Sequence, residues 1–157
     1  MWYGVIGDQL IDPYIFPQRL TGDIYANFLQ DELPAILENV PLQTRWQMYY
    51  QHDGVTPHFS QVVRQYLNHK FPSPWIGHGS TQNWPPRSSD LNPLYYHVWG
   101  YMKTMVCACK VNTREELLQQ IPSAAKSINN AAVLHTVTSF LVTWVRTCMQ
   151  ADGGHFE

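Results

Sequence analysis

Short runs of mainly apolar and aromatic residues near the start of the chain predict short strands. Residues 2–6 and 10–16 form such runs on either side of Gly7 and Asp8, a residue pair typical of a tight hairpin turn. An aromatic-rich run at residues 47–51 predicts a further strand. The chain therefore has strands to build a sheet from, and none of the runs exceeds seven residues.

Apolar residues at helical spacing predict several helices, most of which begin at a capping residue. Thr21 precedes one helix, and Thr56 followed by Pro57 begins another. Asn92 and Thr113 begin two more, the second with the threonine-to-glutamate spacing of a capping box. A last amphipathic helix covers residues 133–148 and is expected to stop at the two glycines that follow.

Two prolines fall inside these helical patterns. Pro34 is expected to kink or restart the first helix, and Pro122 to disturb the helix that begins at Thr113. Residues 71–90 are rich in Pro, Gly, Ser and Trp, which predicts a long, structured loop. Strands alternating with helices indicate an α/β protein.

Composition indicates one globular domain over residues 1–157, because the chain is 45% hydrophobic and has no low-complexity tract. Ten Lys and Arg face twelve Asp and Glu. Proteins that hold DNA through its phosphates usually carry a basic excess, so this balance counts against strong non-specific DNA binding.

Cysteine usage and hydropathy point to a soluble intracellular protein. Three cysteines lack the spacing of a disulfide framework, which fits a reducing compartment. The most apolar stretch, residues 131–145, carries His and several hydroxyl residues and is too short to span a bilayer. The beginning of the sequence has no secretory signal pattern. No membrane association is expected.

Two segments carry the candidate chemistry. The first reads HDGVTPH from His52 to His58, and the second reads WPPRSSDLNPL from Trp84 to Leu94, with a Trp-Gly pair at residues 99–100. Together, and with the closing GGHF, they resemble the catalytic core of mariner-superfamily DNA transposases, in particular insect members. The resemblance covers nearly the whole chain.

This resemblance implies an RNase-H-like fold, a mixed sheet flanked by helices. In that family three carboxylates hold two Mg²⁺ or Mn²⁺ ions, which stabilise the attacking and leaving oxygens of a phosphodiester. Hard cations need several oxygen ligands converging from different elements. An aspartate at the carboxyl end of a strand suits that task, since ligands gather at this edge of α/β sheets.

Carried over by position, Asp53 matches the second catalytic carboxylate and is the one predicted metal ligand. The third belongs directly after Leu94, where this sequence has Tyr95. A phenol with a usual pKa near 10 cannot replace a carboxylate that bridges cations. The first carboxylate lies on a strand expected to precede Met1. We therefore expect no productive binding of Mg²⁺ or Mn²⁺.

Four further residues have both a functional and a structural interpretation. Asp90 can substitute for the lost acid, but capping of the following turn is favoured. Arg87, Lys103 and His58 are candidates for DNA contact; an exposed arginine or lysine, or a histidine that packs, explains each at least as well. A zinc site built from His52, Asp53, Cys107 and Cys109 matches no usual spacing and is disfavoured.

The resemblance implies a fold that is truncated at its start. Without the central first strand, the strand that carries Asp53 would expose unpaired backbone groups. The chain would then be marginally stable or borrow a strand from a partner, unless an upstream exon encodes the missing strand. The family's helix-turn-helix module would also lie upstream, so specific binding to transposon ends is not expected. The resemblance implies a nuclear location, weak DNA binding and a possible homodimer.

Three functional hypotheses follow. The leading one is a truncated, inactive transposase-derived domain with residual nucleic-acid binding. The second is an active metal-dependent DNA endonuclease and strand-transfer domain, which needs an upstream aspartate and a role for Asp90. The third is a domesticated scaffold that binds protein rather than DNA.

Overall fold

The structure is a computed structural model that describes residues 1–71, 75–83, 92, 94–108 and 110–150. The chain divides into two compact units. The first contains residues 1–2 and 14–89, and the second contains residues 3–13 and 90–157. Helices and two small sheets together make a mixed α/β protein, as the alternation of patterns predicts.

The predicted hairpin is present at the start of the chain. Strands β1 (Trp2–Ile6) and β2 (Gln9–Tyr14) are neighbours in one two-stranded sheet. Gly7 lies between them with a φ of 60°, which glycine adopts without the clash that a Cβ would cause. Two residues suffice to reverse the chain only when the strands are antiparallel, so the hairpin follows from local sequence.

A run of helical turns follows, and its beginning matches the predicted cap. Helix α1 (Gly22–Asn27) starts after Thr21, whose hydroxyl accepts the amide hydrogen of Ile24 at 3.3 Å. A π-helical turn (Phe28–Glu32) leads into α2 (Leu33–Ile36), where Pro34 lies in the first turn. The helical run restarts as α2 at this proline, as expected, because Pro34 has no amide hydrogen to continue the π-helical bonding that the amide of Leu33 still makes to the Phe28 carbonyl.

The inner face of this run provides much of the core of the first unit. The side chains below 3% exposure on it are Tyr25, Ala26, Phe28 and Leu29. A 3₁₀ turn (Leu37–Asn39) ends the run and buries Leu37.

The prediction of a strand at residues 47–51 is mostly wrong. Helix α3 (Leu42–Gln47) takes up its first residue, and only Tyr50–Gln51 form strand β3. Strand β3 pairs in parallel with β4 (Trp75–Ile76), Tyr50 opposite Trp75 and Gln51 opposite Ile76. A strand extends only as far as it has a partner, and this partner is two residues long. Strand β4 itself lies in the segment predicted as a loop.

The predicted helix at Thr56 begins later than expected. Residues Thr56–Phe59 form a 3₁₀ turn, and helix α4 (Gln61–Lys70) starts after Ser60. Pro57 fits the 3₁₀ turn because it needs no amide acceptor there. The predicted apolar face is correct at its centre, since Val63 and Leu67 are completely buried. The segment from β3 through α4 to β4 thus forms a compact β-α-β unit.

In the second unit, two predicted caps are present. Asn92 accepts the amide hydrogen of Leu94 at 3.0 Å, ahead of a π-helical segment (Leu94–Trp99) and helix α5 (Gly100–Cys107). Helix α6 (Arg114–Ile128) begins at Thr113, whose hydroxyl accepts the amide hydrogen of Glu116.

The expectation that Pro122 disturbs helix α6 early is wrong, because the helix continues to Ile128. Tertiary packing offsets the lost backbone hydrogen bond, because Ile121 directly before Pro122 and Ala124, Ala125 and Ile128 after it are all buried. Leu117, in the first turn of the same helix, is 37% exposed.

Helix α7 (Ala131–Gln150) covers the predicted last amphipathic helix. The structure describes the backbone but not the side chains at the positions predicted to face inward, which are Val133, Val137, Leu141, Trp144, Val145 and Cys148. The two glycines expected to stop the helix lie outside the described residues. The second unit has one buried cluster, formed by Tyr3, Leu10, Val98, Met102, Val106, Ile121, Ala124, Ala125, Ile128 and Leu134. Among the described residues, no helix is both long and apolar enough to cross a membrane.

Candidate functional site around Asp53

Asp53 lies two residues beyond the end of strand β3, where the chain leaves the sheet for the 3₁₀ turn and helix α4. Its Oδ1 accepts a hydrogen bond from Nδ1 of His58 at 2.7 Å and a longer one from the amide of Val55 at 3.3 Å. The two side chains are 18% and 15% exposed. Sequence reasoning singled out both residues, and the structure brings them together.

Local sequence explains this pairing. An aspartate that accepts the amide two residues ahead forms a short turn of its own, which directs the chain back towards the strand end. Pro57 then restricts the backbone next to His58. The hydrogen bond needs only five residues of chain, so the HDGVTPH segment can form it without help from remote elements.

The contact also assigns the protonation pattern of the His58 ring. An ionised carboxylate only accepts hydrogen bonds, so Nδ1 of His58 carries the hydrogen. In the neutral ring, Nε2 is then the acceptor. A carboxylate that orients an imidazole in this way is common in hydrolases and in metal sites.

The His58 ring packs among other rings. Its centroid lies 4.4 Å from that of Tyr25 and 5.1 Å from that of His52, and the two imidazole planes are within 6° of parallel. Trp75 meets the His52 ring edge-on at 5.5 Å. These contacts restrict the orientation of His58, and through its hydrogen bond they restrict Asp53.

His52 is the most unusual polar group of this site. It is 5% exposed, and neither of its ring nitrogens has a hydrogen-bond partner among the described residues. Burial, and to a lesser extent the neighbouring His58, lower the pKa of His52 to about 3, although the Asp53 carboxylate acts in the opposite direction. His52 is therefore neutral at physiological pH.

The hydroxyl groups of Tyr25 and Tyr50 form a hydrogen bond with each other next to the two imidazole rings. Their oxygens are 2.7 Å apart. Burial raises the pKa of Tyr50 to about 12 and that of Tyr25 well above its usual range. Both phenols thus stay protonated, so they act as packing and hydrogen-bonding groups and not as bases.

Ser60 does not complete a nucleophile, base and acid arrangement with this pair. Its Oγ is buried and has no hydrogen-bond partner among the residues that the structure describes. Nucleophilic catalysis requires the base within hydrogen-bonding reach of the hydroxyl. The geometry therefore gives no support to a serine hydrolase.

Metal ligation at this site rests on Asp53. Within the described ranges, no group of three or more His, Cys, Asp or Glu side chains is placed to hold an ion. For the disfavoured zinc set, His52 and Asp53 are adjacent, Cys107 is exposed in the second unit, and Cys109 lies outside the described residues. The two ring nitrogens of His52 are buried, which leaves them poorly placed as ligands.

The other predicted site residues are distributed as follows. Tyr95, which the resemblance assigns to the position of the third acid, is 43% exposed at the start of the π-helical segment. Lys103 is exposed on α5, which fits either a solvated lysine or contact with a ligand. Asp90 and Arg87 lie outside the described residues.

Sequence reasoning missed the residues that support the site from other elements. Tyr25 was assigned no role, and Tyr50 and Trp75 were treated as strand and loop residues. The high aromatic content of 13% was the one available indication, and it does not say which rings meet.

No known protein-family model matches the chain, and no curated protein matches it.

Proposed function

We propose that this chain is a domain derived from a mariner-superfamily transposase, of the RNase-H-like type, which no longer cuts DNA and keeps weak nucleic-acid binding. The motifs HDGVTPH and WPPRSSDLNPL carry the family resemblance. The proposal concerns a protein whose remaining chemistry is centred on Asp53.

The observation that carries the proposal is the folding of HDGVTPH as one structural unit. Asp53 follows a strand, His58 precedes a helix, and a 2.7 Å hydrogen bond joins them. The parallel pairing of β3 and β4 across α4 is compatible with a mixed sheet flanked by helices, because parallel neighbours need a crossover connection of this kind. A motif match is strengthened when its expected structural context is present.

The donor set does not fit two divalent cations. Oδ1 of Asp53 already accepts two hydrogen bonds, from His58 and Val55. Tyr95 supplies a phenol where the family has a carboxylate. Mg²⁺ keeps near-octahedral oxygen ligation and loses its water reluctantly, so a single carboxylate binds it weakly. We therefore derive no catalytic step through metal ions.

The expected DNA binding is weak and sensitive to salt. The formal net charge is −2, so binding relies on local contacts such as Lys103 and Arg87. With on the order of two phosphate contacts, the affinity falls about tenfold between 50 and 200 mM salt.

A nicking assay tests the proposal. Supercoiled plasmid is incubated with the full chain and Mg²⁺ or Mn²⁺, alongside Asp53→Asn and Tyr95→Asp variants. We expect no nicking above background for the wild type or Asp53→Asn. Retention on DNA at 50 mM salt, lost at higher salt, is expected for both.

Each alternative has its own outcome. Nicking by the wild type that Asp53→Asn abolishes would establish the active endonuclease and overturn the proposal. Absence of DNA retention at low salt, together with a defined protein partner, would favour the scaffold. Nicking gained only by Tyr95→Asp would support the proposal, because it would identify residue 95 as the position of the lost acid.

A further inference from the structure

Gly77 lies directly against the His52 ring. A Cβ atom added at Gly77 would overlap Cδ2 and Nε2 of His52 and would come within 2.7 Å of Cζ3 of Trp75. Gly77 does not adopt a positive φ, in contrast to Gly7 and Gly79. Space rather than backbone conformation therefore requires glycine at this position.

The His52 ring has nowhere to move without disturbing its neighbours. It is 5% exposed, meets Trp75 edge-on at 5.5 Å and lies almost parallel to the His58 ring at 5.1 Å. Buried side chains are packed closely enough that one added carbon displaces them.

We propose that Gly77 and His52 are positioning residues for Asp53. Gly77 leaves space for the His52 ring, the His52 ring supports that of His58, and Nδ1 of His58 orients the Asp53 carboxylate. The inference rests on the proposed function only in treating Asp53 as the surviving metal-ligand position. The series of contacts itself is independent of DNA and of metal.

The bond at the end of this series is sensitive to small movements. The Nδ1 to Oδ1 distance is 2.7 Å, and a displacement of about 1 Å takes it beyond hydrogen-bonding range. A methyl group at residue 77 would therefore break a contact that it does not touch.

The experiment follows the His58 ring by NMR in the full chain labelled with ¹⁵N. The Nδ1–H resonance and the ring tautomer are recorded for wild type, Gly77→Ala, His52→Ala and His52→Phe. Loss of this resonance in Asp53→Ala, which removes the acceptor, assigns it. Gly100→Ala is the matched control, because a Cβ at Gly100 meets nothing within 4 Å.

We expect Gly77→Ala and His52→Ala to lose the Nδ1–H resonance, and His52→Phe and Gly100→Ala to keep it. Circular dichroism identifies the variants that remain folded. An unchanged resonance in folded Gly77→Ala or folded His52→Ala would overturn the inference. If Gly77→Ala fails to fold, the inference is tested by the two His52 variants: the Nδ1–H resonance should be lost in His52→Ala and kept in His52→Phe.

This result can be separated from the test of the proposed function. Plasmid nicking by the wild-type chain would overturn the proposed function and leave the NMR result unaffected. Conversely, an unchanged Nδ1–H resonance would overturn the positioning role and leave the nicking result unaffected.

Discussion

The polar side chains near Asp53 differ in the free-energy cost of their burial. The hydroxyls of Tyr25 and Tyr50 bond to each other, so their burial leaves little hydrogen-bonding capacity unused. His52 has no such compensation among the described residues, and burial without a partner costs on the order of 1–3 kcal/mol. His52 is retained at the centre of the site at a cost in stability, which agrees with a positioning role.

The pKa of His52 predicts a pH dependence of stability. An unfolded histidine has a pKa of about 6.5, and burial lowers that of folded His52 to about 3. Between these values the unfolded chain binds a proton that the folded chain does not. The free energy of unfolding therefore falls as the pH drops below about 6.5, by roughly 2–3 kcal/mol at pH 4.5 from this residue alone.

Urea unfolding at pH 7 and pH 4.5 measures this contribution. His52→Phe removes the titrating group, so it is expected to lose less stability on acidification than the wild type. The matched control is His69→Gln on the exposed surface of α4. This variant should show the same difference in the free energy of unfolding between pH 7 and pH 4.5 as the wild type. Equal pH dependence in wild type and His52→Phe would contradict the prediction.

The start of helix α6 shows how a few neighbouring residues determine where a helix begins. The hydroxyl of Thr113 accepts the Glu116 amide hydrogen at 3.1 Å, and the Glu116 carboxylate in turn accepts that of Asn112 at 2.8 Å. The first bond satisfies an amide that the first turn of α6 leaves without a helical acceptor, and the second holds the residue that precedes the cap. The start of this helix is therefore determined within five residues.

Thr113→Ala is expected to lower the free energy of unfolding by about 1 kcal/mol, because it removes the cap. Thr143→Ala in α7 is the matched control, since the hydroxyl of Thr143 bonds only to a carbonyl of its own helix and is exposed. Thr143→Ala should change the free energy of unfolding by no more than about 0.5 kcal/mol. Chemical denaturation compares the two, and equal losses would argue against the cap.

At the scale of the whole molecule, the chain forms two compact units, each with its own buried side chains. The first unit holds the site around Asp53, and the second holds Tyr95 on its π-helical segment. A formal net charge of −2 gives the molecule no general attraction for nucleic acid.

A thermal melt with and without millimolar Mn²⁺ tests whether the folded chain keeps a usable metal site. Ligand at ten times its Kd would stabilise the native state by about 1.4 kcal/mol, which raises the Tm of a chain this long by roughly 3–6 °C. We expect a Tm shift below about 1 °C, identical in Asp53→Asn. A larger shift that Asp53→Asn removes would contradict the proposal that this chain has no usable metal site.

The sequence by itself determined the features that depend on neighbouring residues. The caps at Thr21 and Thr113 and the turn at Gly7 follow from side-chain and backbone preferences within a few positions. The proximity of Asp53 and His58 is of the same kind, since five residues separate them. The mixed α/β class follows from the alternation of such local elements.

Only the tertiary structure decided what depends on remote segments. Strand β3 is two residues long because its partner Trp75–Ile76 is short, and α6 continues past Pro122 because its buried face holds it. Tyr25 and Gly77 reach the site from positions more than twenty residues away from His52 in either direction. No local pattern encodes such contacts, because they form only when the free energy of burying the whole core offsets the entropy of ordering the chain.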